Sequence, residues 1–253
     1  MLVLAISDLP LNVSWQQCWK TAAKAGIDGI ELMGGPRVWW NRRRINAWID
    51  KYHLPVLSVH QPAWEGLNLI VVRANLQQAK KWANNYVIHP PLLKSPDDGK
   101  YFQQLQTWSK KEAVTVMLEN MPLEKMMKWT KVLGQTEKKW TQLEAVAYEC
   151  RKRNWQMVLD TSHLQMVEPD ERRLNKILPL IGNIHISDWD DKRQHLGLGR
   201  GKMNLDKWLS WLKKNYHRQI TLELSPRYWV DEAAYLTEVI QSLKVLHQCV
   251  TKT

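Results

Sequence analysis

Cysteine is scarce in this chain of 253 residues, which contains only Cys18, Cys150 and Cys249. The three are far apart, odd in number and without the close pairing that a cysteine-ligated metal site requires. The sequence therefore argues against a disulfide-stapled fold and against a cysteine zinc motif. We expect the cysteines to be reduced and the protein to be cytoplasmic.

Long apolar runs are also missing, since no segment approaches the roughly 18 residues needed to cross a bilayer. The first ten residues, MLVLAISDLP, hold a short apolar run without a basic segment before it or a small-residue cleavage site after it. This pattern is typical of a first β-strand rather than of a signal peptide. We expect no membrane partner.

Acidic residues are in deficit, with 25 against 36 basic residues and a formal net charge of +11. Such a balance is compatible with binding to phosphates or nucleic acid. However, many basic residues fall in segments such as KKEAV and LKKNYHRQ, on the predicted outer faces of helices. The favoured interpretation is a solvated basic surface.

The chain alternates short apolar runs with amphipathic segments. Each run has four or five residues, the length of a buried parallel strand. Eight strand–helix units in about 250 residues favour an α/β fold, a single (β/α)8 TIM barrel, over an open doubly wound sheet. We predict one domain over residues 1–253, with strands at Val3–Ser7, Gly29–Met33, Val56–His60, Tyr86–His89, Thr115–Glu119, Gln156–Asp160, Asn183–Ile186 and Ile220–Leu224.

Helix-capping residues support this division. Ser14 and Gln17 have capping-box spacing at the start of the first predicted helix, which should end at Gly26. Asn204 stands just ahead of the amphipathic segment LDKWLSWLKK as a predicted N-cap.

Polar and charged residues are nearly confined to the carboxyl ends of the predicted strands. In a barrel these ends lie at one face, where barrel active sites are built. Carboxylates and neutral imidazoles that converge on rigid strands are what a divalent metal requires. For any one residue the alternative is a structural role, such as capping a helix. The residues are Ser7, Asp8, Glu31, His60, His89, Glu119, Asp160, His185 and Glu223.

The histidines follow the same distribution. Five of the eight fall at the predicted strand ends or in the loops that follow, at positions 60, 89, 163, 185 and 195. The other three, His53, His217 and His247, lie on predicted helices or their ends and are interpreted as ordinary surface residues.

Seven short motifs carry a family resemblance over essentially the whole chain. SVHQP, VIHPP, LENMP, LDTSHL, HISDWDD and ITLELSP occur at strand ends, together with HLGLGRGKM. In this order they resemble the xylose isomerase-like barrel superfamily. That group includes sugar and sugar-phosphate isomerases and epimerases, and also the endonuclease IV class of apurinic-site endonucleases.

The isomerase branch implies one divalent ion, Mn, Mg, Co or Zn. By resemblance its ligands would be Glu119, Asp160, His185 and Glu223. The two glutamates would also form the catalytic acid/base pair that moves a proton between adjacent carbons through an enediolate. His60 and His163 would contact substrate hydroxyls.

The endonuclease branch implies a three-zinc site with more ligands. The acid expected two residues before His195 is replaced by Arg193, which would place a cation where a third zinc would bind. Asp190 or Asp191 would have to replace it. Arg200 departs from the glutamate that both branches commonly have. The matching ligands are His60, His89, Glu119, Asp160, His163, His185, His195 and Glu223.

These considerations favour a metal-dependent sugar or sugar-phosphate isomerase or epimerase. The apurinic endonuclease is the first alternative, and a non-catalytic ligand-binding barrel is the second. We expect one tightly held ion, a weaker second one near His60 and His89, and no third. Candidates for contacts with a second metal or with substrate are His60, His89, His163 and His195. Glu31 is expected to lie too far round the barrel to be a ligand, and a homo-oligomer is compatible with the sequence. Substrate-binding residues are predicted at Arg193, Arg200, Glu31 and Asp188.

The segment PRVWWNRRR, residues 36–44, interleaves basic and aromatic residues after the second strand. The basic side chains of such a segment could bind a phosphate, and its aromatic rings could stack on a base. A cationic first turn of a helix is the favoured interpretation. With Arg193 and Arg200, Arg37 of this segment hints at a phosphorylated sugar.

Overall fold

Eight parallel strands close into a barrel in a computed structural model that describes residues 1–6, 13–62, 69–90, 98–121 and 142–250. Each strand pairs with the next in sequence, and β1 pairs with β8 to complete the ring. The predicted (β/α)8 barrel is confirmed, and the doubly wound alternative is wrong. The strands are β1 Leu2–Ile6, β2 Gly29–Met33, β3 Val56–His60, β4 Asn85–Ile88, β5 Thr115–Glu119, β6 Gln156–Asp160, β7 Ile181–Ile186 and β8 Gln219–Leu222.

The predicted strand bounds agree with these closely. Four strands, β2, β3, β5 and β6, begin and end where the sequence predicts. The strand β7 begins two residues early, at Ile181, while His89 and Glu223 lie just beyond the ends of β4 and β8. Ser7 and Asp8, predicted at the end of the first strand, lie outside the described residues.

Helices follow the strands and surround the barrel. Ten α-helices fall within the described ranges: α1 Trp15–Lys24, α2 Pro36–Trp40, α3 Arg42–Tyr52, α4 Leu69–Trp82, α5 Asp98–Glu112, α6 Leu143–Arg153, α7 Thr161–Leu164, α8 Glu171–Ile177, α9 Leu205–Asn215 and α10 Glu232–Val250. In the part of the chain that the structure describes, no helix combines the length and apolar character needed to cross a membrane.

Both predicted N-caps form, although the backbone N–H of Ser14 donates to Glu232 and not to the Gln17 side chain as in a complete capping box. The Ser14 side chain accepts a hydrogen bond from the backbone N–H of Gln17 at the start of α1, and Asn204 accepts one from Lys207 at the start of α9. Gly26, just after α1, has φ of +66°, a left-handed conformation that favours glycine.

Alternate residues of the strands face opposite sides of the sheet. The outward side chains pack against the helices in the main hydrophobic core, which includes Leu118, Leu159 and Ile184. Large aromatic side chains complete this packing from the helices, with Trp19, Trp208 and Trp211 fully buried. The inward side chains fill the barrel, and at the carboxyl ends of the strands they form the candidate site.

Candidate metal centre

Strand ends bring histidines and acids from distant parts of the sequence to one mouth of the barrel. Four of these residues, His60, Glu119, His185 and Glu223, offer ligand atoms that all lie within 4.8 Å of one another. A second group with the same property consists of Asp160, His163 and His195.

Glu119 is the centre of the first group. Its Oε2 lies 3.1 Å from Nε2 of His60 and 3.0 Å from Nε2 of His89, while its Oε1 lies 3.0 Å from Nδ1 of His185. The same Nδ1 of His185 lies 2.9 Å from Oε2 of Glu223. The two oxygens of Glu119 therefore face different imidazoles, and Glu119 and Glu223 flank the same ring nitrogen.

Asp160 serves two roles at the start of α7. Its Oδ1 accepts hydrogen bonds from the backbone N–H of His163 at 2.7 Å and from the Ser162 hydroxyl at 2.9 Å. Its Oδ2 faces the site, 3.9 Å from Nδ1 of His195. The helix-cap and metal-site interpretations of this residue thus each describe one of its oxygens. The resemblance groups Asp160 with Glu119, but the geometry places it with His163 and His195.

Backbone carbonyls fix the orientation of two imidazoles. Nδ1 of His60 lies 2.8 Å from the carbonyl oxygen of Gln61, and Nδ1 of His163 lies 2.8 Å from that of Asn120. In the neutral ring each Nδ1–H donates to its carbonyl, which leaves the lone pair on Nε2. Both histidines are therefore prepared as ligands through Nε2.

The buried imidazoles and carboxylates shift one another's pKa values. Burial alone would lower the pKa of His60, but the hydrogen bond and charge of Glu119 outweigh it and raise that pKa to about 9. Burial is also outweighed at His185, where nearby carboxylates raise the pKa well above its usual value. Burial would raise the pKa of Glu119 and Glu223, but the imidazoles lower both. At His89 burial prevails and the pKa is lowered. The buried carboxylates of this cluster are therefore stabilised by positive charge next to them.

Several polar atoms at this mouth are buried without a hydrogen-bond partner among the described residues: Glu119 Oε1, Asp160 Oδ2, His185 Nδ1 and Glu223 Oε2. The contacts of His185 Nδ1 are short but lack hydrogen-bond alignment, so these atoms converge without pairing. Unpaired buried polar atoms are rare in proteins and indicate a missing ion, ligand or water. Carboxylate oxygens and imidazole nitrogens are common ligands of Zn²⁺ and related ions. The residues therefore fit a divalent metal.

Glu31 lies inside the barrel, outside both groups of candidate ligands but next to a member of one of them. Its Oε1 is 3.1 Å from Nε2 of His185, the nitrogen that faces away from Glu119 and Glu223. In the closed ring β2 and β7 are separated by β1 and β8, so their side chains meet in the barrel interior although the two strands are not neighbours in the sheet. Glu31 is almost fully buried, beneath the mouth of the barrel rather than at its surface.

Four buried polar residues that sequence reasoning missed lie around Glu31. A signal for them exists, because each stands two residues before another inward polar residue in a strand that is otherwise mainly apolar. Ser58 precedes His60, Asn183 precedes His185, and Gln219 and Thr221 precede Glu223. The period of two places each pair on the same side of its strand.

The two arginines predicted to bind substrate have other partners. Arg193 contacts the carboxylate of Asp190 at 2.7 Å and is half exposed, and its guanidinium lies over the ring of Tyr228. Arg200 pairs with Glu238 on α10 at 3.2 Å. None of these partners belongs to the two groups of candidate metal ligands.

Asp188, also predicted to bind substrate, organises the loop after β7. Its Oδ1 accepts hydrogen bonds from the N–H groups of Trp189 and Met203, at 2.8 and 3.0 Å. Its Oδ2 accepts from Gly199 and Gly201, at 3.1 and 2.8 Å. A buried carboxylate with four backbone donors is a structural anchor, and here it holds the loop that carries His195.

Two further sequence expectations concern surface residues. His247 is partly exposed on α10, with Nε2 2.7 Å from the carbonyl oxygen of Ala25. The basic and aromatic segment forms α2 and the start of α3, and the Arg37 guanidinium lies 4.7 Å from the ring centroid of Trp15.

Comparisons with known proteins agree with this fold. Residues 97–246 match the family described as the xylose isomerase-like TIM barrel. No curated protein sequence matches the chain. The apo structure of 3-keto-D-glucoside 4-epimerase from E. coli is similar, with TM-score 0.70 and 16% identity over 96% of this chain and 98% of that one.

Two more solved structures are similar to nearly the whole chain. D-psicose 3-epimerase from Clostridium cellulolyticum H10, determined with D-tagatose, has TM-score 0.70 and 13% identity over 98% of this chain and 99% of that one. A family 2 AP endonuclease from Brucella melitensis has TM-score 0.67 and 17% identity over 92% of this chain and 95% of that one. At these identities the likeness shows the shared fold.

Proposed function

Because this chain belongs to the xylose isomerase-like TIM barrel family, we propose that it is a divalent-metal-dependent isomerase or epimerase of a sugar or sugar phosphate. The reaction would move a proton between adjacent carbons. One observation carries the proposal: the carboxylates of Glu119 and Glu223 flank Nδ1 of His185 at 3.0 and 2.9 Å, inside one buried cluster.

The metal would be held by Glu119, His185 and Glu223, with His60 or Asp160 as a fourth ligand. His60 shares the cluster, while the resemblance favours Asp160, whose Oδ2 is unpaired among the described residues. A bound divalent ion polarises a substrate carbonyl and stabilises the negative charge that develops on its oxygen.

Proton transfer falls to the two glutamates. Their lowered pKa values mean that both are ionised and able to accept a proton. Glu223 is 9% exposed, whereas Glu119 is fully buried with Oε2 engaged by two imidazoles. Glu223 is therefore the better placed to accept the proton of the substrate, and Glu119 would return one that it receives from the protonated His60, whose Nε2 lies 3.1 Å from its Oε2. His195, whose side chain is 20% exposed, and the more deeply buried His163 next to it would contact substrate hydroxyls.

Solvent deuterium incorporation tests this proposal directly. Metal-loaded protein in D₂O would be incubated with a panel of ketoses, aldoses and their phosphates, and the products examined by mass spectrometry and NMR. We expect one deuterium at a carbon next to the carbonyl of at least one sugar, with loss of exchange in Glu223→Gln. Glu149→Gln is the matched control, because Glu149 pairs with Arg153 on the outer helix α6. Tight sugar binding without any exchange would instead indicate the non-catalytic ligand-binding barrel.

Hydrolysis of a phosphodiester is the second candidate function, and a specific observation favours it. The two oxygens of Glu119 face two separate imidazole sets, as a carboxylate that bridges two metals would, and the site as a whole is rich in nitrogen donors. Such sites suit zinc and paired-metal phosphoester chemistry. Against it, Asp190 contacts Arg193 and Asp191 contacts Lys202, and neither acid belongs to the two groups of candidate ligands. Nicking of an abasic-site DNA duplex by zinc-loaded protein, without deuterium exchange into sugars, would establish this function instead.

A further inference from the structure

Hydrogen bonds inside the barrel run toward one carboxylate, that of Glu31. Its Oε2 accepts from the Ser58 hydroxyl at 2.5 Å and from Nδ2 of Asn183 at 3.2 Å. Thr221 Oγ1 donates to Oδ1 of Asn183 at 2.9 Å. Nε2 of Gln219 donates to the hydroxyl oxygens of Ser58 at 3.2 Å and of Thr221 at 3.1 Å. Two chains of donors therefore begin at Gln219 and end at Glu31.

The chemistry of the groups fixes the direction of these chains. If the Asn183 amide were reversed, its oxygen would lie against the Glu31 carboxylate, which would bring two acceptors together. With the orientation found, Oε2 of Glu31 receives two donors, as a carboxylate anion requires. All five residues are buried. The arrangement holds a negative charge at a fixed point in the barrel.

The other oxygen of Glu31 lies behind the candidate metal centre. Oε1 is 3.1 Å from Nε2 of His185, while Nδ1 of the same ring faces Glu119 and Glu223. When a metal binds on the Nδ1 side, the negative charge of Glu31 beside Nε2 keeps the ring hydrogen on that nitrogen, although the contact itself lacks hydrogen-bond alignment. It also makes Nδ1 a stronger donor to a metal, because negative charge behind a ligating imidazole raises its basicity.

We propose that Glu31 is a positioning residue that sets the affinity of the centre for a divalent metal through His185, and that it does not contact substrate. Ser58 and Asn183 support it by holding the carboxylate in place. The inference rests on the metal-binding part of the proposed function and not on the sugar reaction. Glu31 is 1% exposed and lies beneath His185, so the route from the mouth to its carboxylate is closed by the ligands themselves.

The test compares Zn²⁺ affinities by competition with a chromophoric chelator. Glu31→Gln keeps the size of the side chain and removes its charge, and we expect Zn²⁺ to bind about 10- to 100-fold more weakly. Ser58→Ala keeps the charge and removes one support, so it should weaken Zn²⁺ in the same direction by a smaller factor. Glu149→Gln, an identical change on the outer helix α6, should match the wild type.

A spectroscopic measurement separates positioning from a loss of stability. The visible absorption bands of bound Co²⁺ depend on its ligands, so Glu31→Gln should shift or weaken them while Glu149→Gln leaves them unchanged. Wild-type Zn²⁺ affinity and an unchanged Co²⁺ spectrum in Glu31→Gln would overturn the inference. If that variant does not fold, Ser58→Ala decides: affinity equal to the wild type overturns it. If the wild type bound metal but turned over no sugar, only the proposed function would be wrong. The Zn²⁺ affinities of the variants would still test the role of Glu31.

Discussion

The interior of the barrel has two unlike sides beneath the same ring of candidate ligands. On the side formed by β4, β5 and β6 the inward residues are Val87, Met117 and Val158, which form a small apolar cluster. On the other side, where β1 contributes the apolar Val3 and Ala5, the inward residues of β2, β3, β7 and β8 are polar and hydrogen-bonded to one another: Glu31, Ser58, Asn183, Gln219 and Thr221. Both sides are almost completely buried.

The candidate ligands stand two residues further along the same strands. His89, Glu119 and Asp160 follow the apolar residues of β4 to β6, and His60, His185 and Glu223 follow the polar residues Ser58, Asn183 and Thr221. Barrel interiors are usually filled by layers of branched apolar side chains. Burying polar groups is unfavourable unless all are paired, so the polar side is retained for something that an apolar side cannot provide. We infer that it provides the fixed charge of Glu31 beneath His185.

The largest effect is expected at the two catalytic candidates. Glu119 follows the apolar side of the barrel interior, and Glu223 follows the polar side. Glu119→Gln and Glu223→Gln should each lower turnover at least about a hundredfold, because each removes a general base as well as a charged ligand. Turnover on the best substrate of the sugar panel measures this, with Glu149→Gln as control. If Glu223→Gln retained wild-type turnover, the proton-transfer role would be wrong.

A matched pair of isosteric changes tests the two sides directly. Val158→Thr places a hydroxyl among apolar side chains, and Thr221→Val removes one from the polar side, leaving Asn183 and Gln219 each short of a partner. Each should lower the free energy of unfolding by about 1–3 kcal/mol, although one adds and the other removes a polar group.

Chemical denaturation of the metal-free proteins measures this pair of effects. If Thr221→Val proved more stable than the wild type, the polar side would be a liability and not a satisfied network. If Val158→Thr were neutral, the apolar side would have room or partners that the structure does not show.

The pH dependence of the stability of the metal-free protein should distinguish His60, which lies over the polar side of the interior, from an exposed histidine. Since the pKa of His60 is raised from 6.5 to about 9, its ion pair with Glu119 stabilises the fold fully below pH 6.5 and is lost as the pH rises through 9. The melting temperature should therefore fall by several degrees across that window.

Metal binding should show the opposite trend over the same window. Zn²⁺ affinity should increase with pH, because the ion replaces the proton on the imidazole. The control variant is His53→Asn, which removes an exposed histidine and should leave both trends unchanged. Asn tolerates the left-handed backbone conformation of position 53. A melting temperature of the metal-free wild type that does not change between pH 6.5 and 9 would contradict the buried ion pair.

The smallest effect is expected at Arg193, where the sequence resemblance puts the divide between the two branches of the family. Its side chain pairs with Asp190 and is half exposed, so Arg193→Ala should change Zn²⁺ affinity less than about twofold, as for an exposed ion pair of little energetic weight. Chelator competition and metal analysis measure this. An additional metal equivalent in the variant would show that the arginine excludes an ion, as its replacement of an acidic ligand suggests.

The sequence predicted the barrel because each strand is a short apolar run and each carboxyl end carries a polar residue. The same pattern located the residues that converge at the mouth. It could not divide them into two groups, because the grouping depends on side-chain orientation, such as the helix-cap bond that engages Oδ1 of Asp160. The partners of Arg193 and Arg200 were also hidden, since Asp190 and Glu238 are set by loop and helix geometry.

Contacts across the barrel were the other feature beyond sequence reasoning. Glu31 is 152 residues from Asn183, and their strands are not adjacent in the sheet, so no local pattern joins them. Asp188 shows a similar limit, because its four backbone donors come from a loop that folds back on it.

Anomalous diffraction at the zinc edge, on crystals of protein purified without chelator and supplied with Zn²⁺, tests the central claim most directly. The account predicts a strong peak at about 2.0–2.2 Å from a Glu119 oxygen, Nδ1 of His185 and a Glu223 oxygen. One further, weaker peak beside His60 and His89, or beside His163 and His195, is compatible with it, for a total of one to two ions per chain. Three fully occupied ions would contradict the isomerase assignment in favour of the nuclease, and no peak at His185 would contradict the metal centre itself.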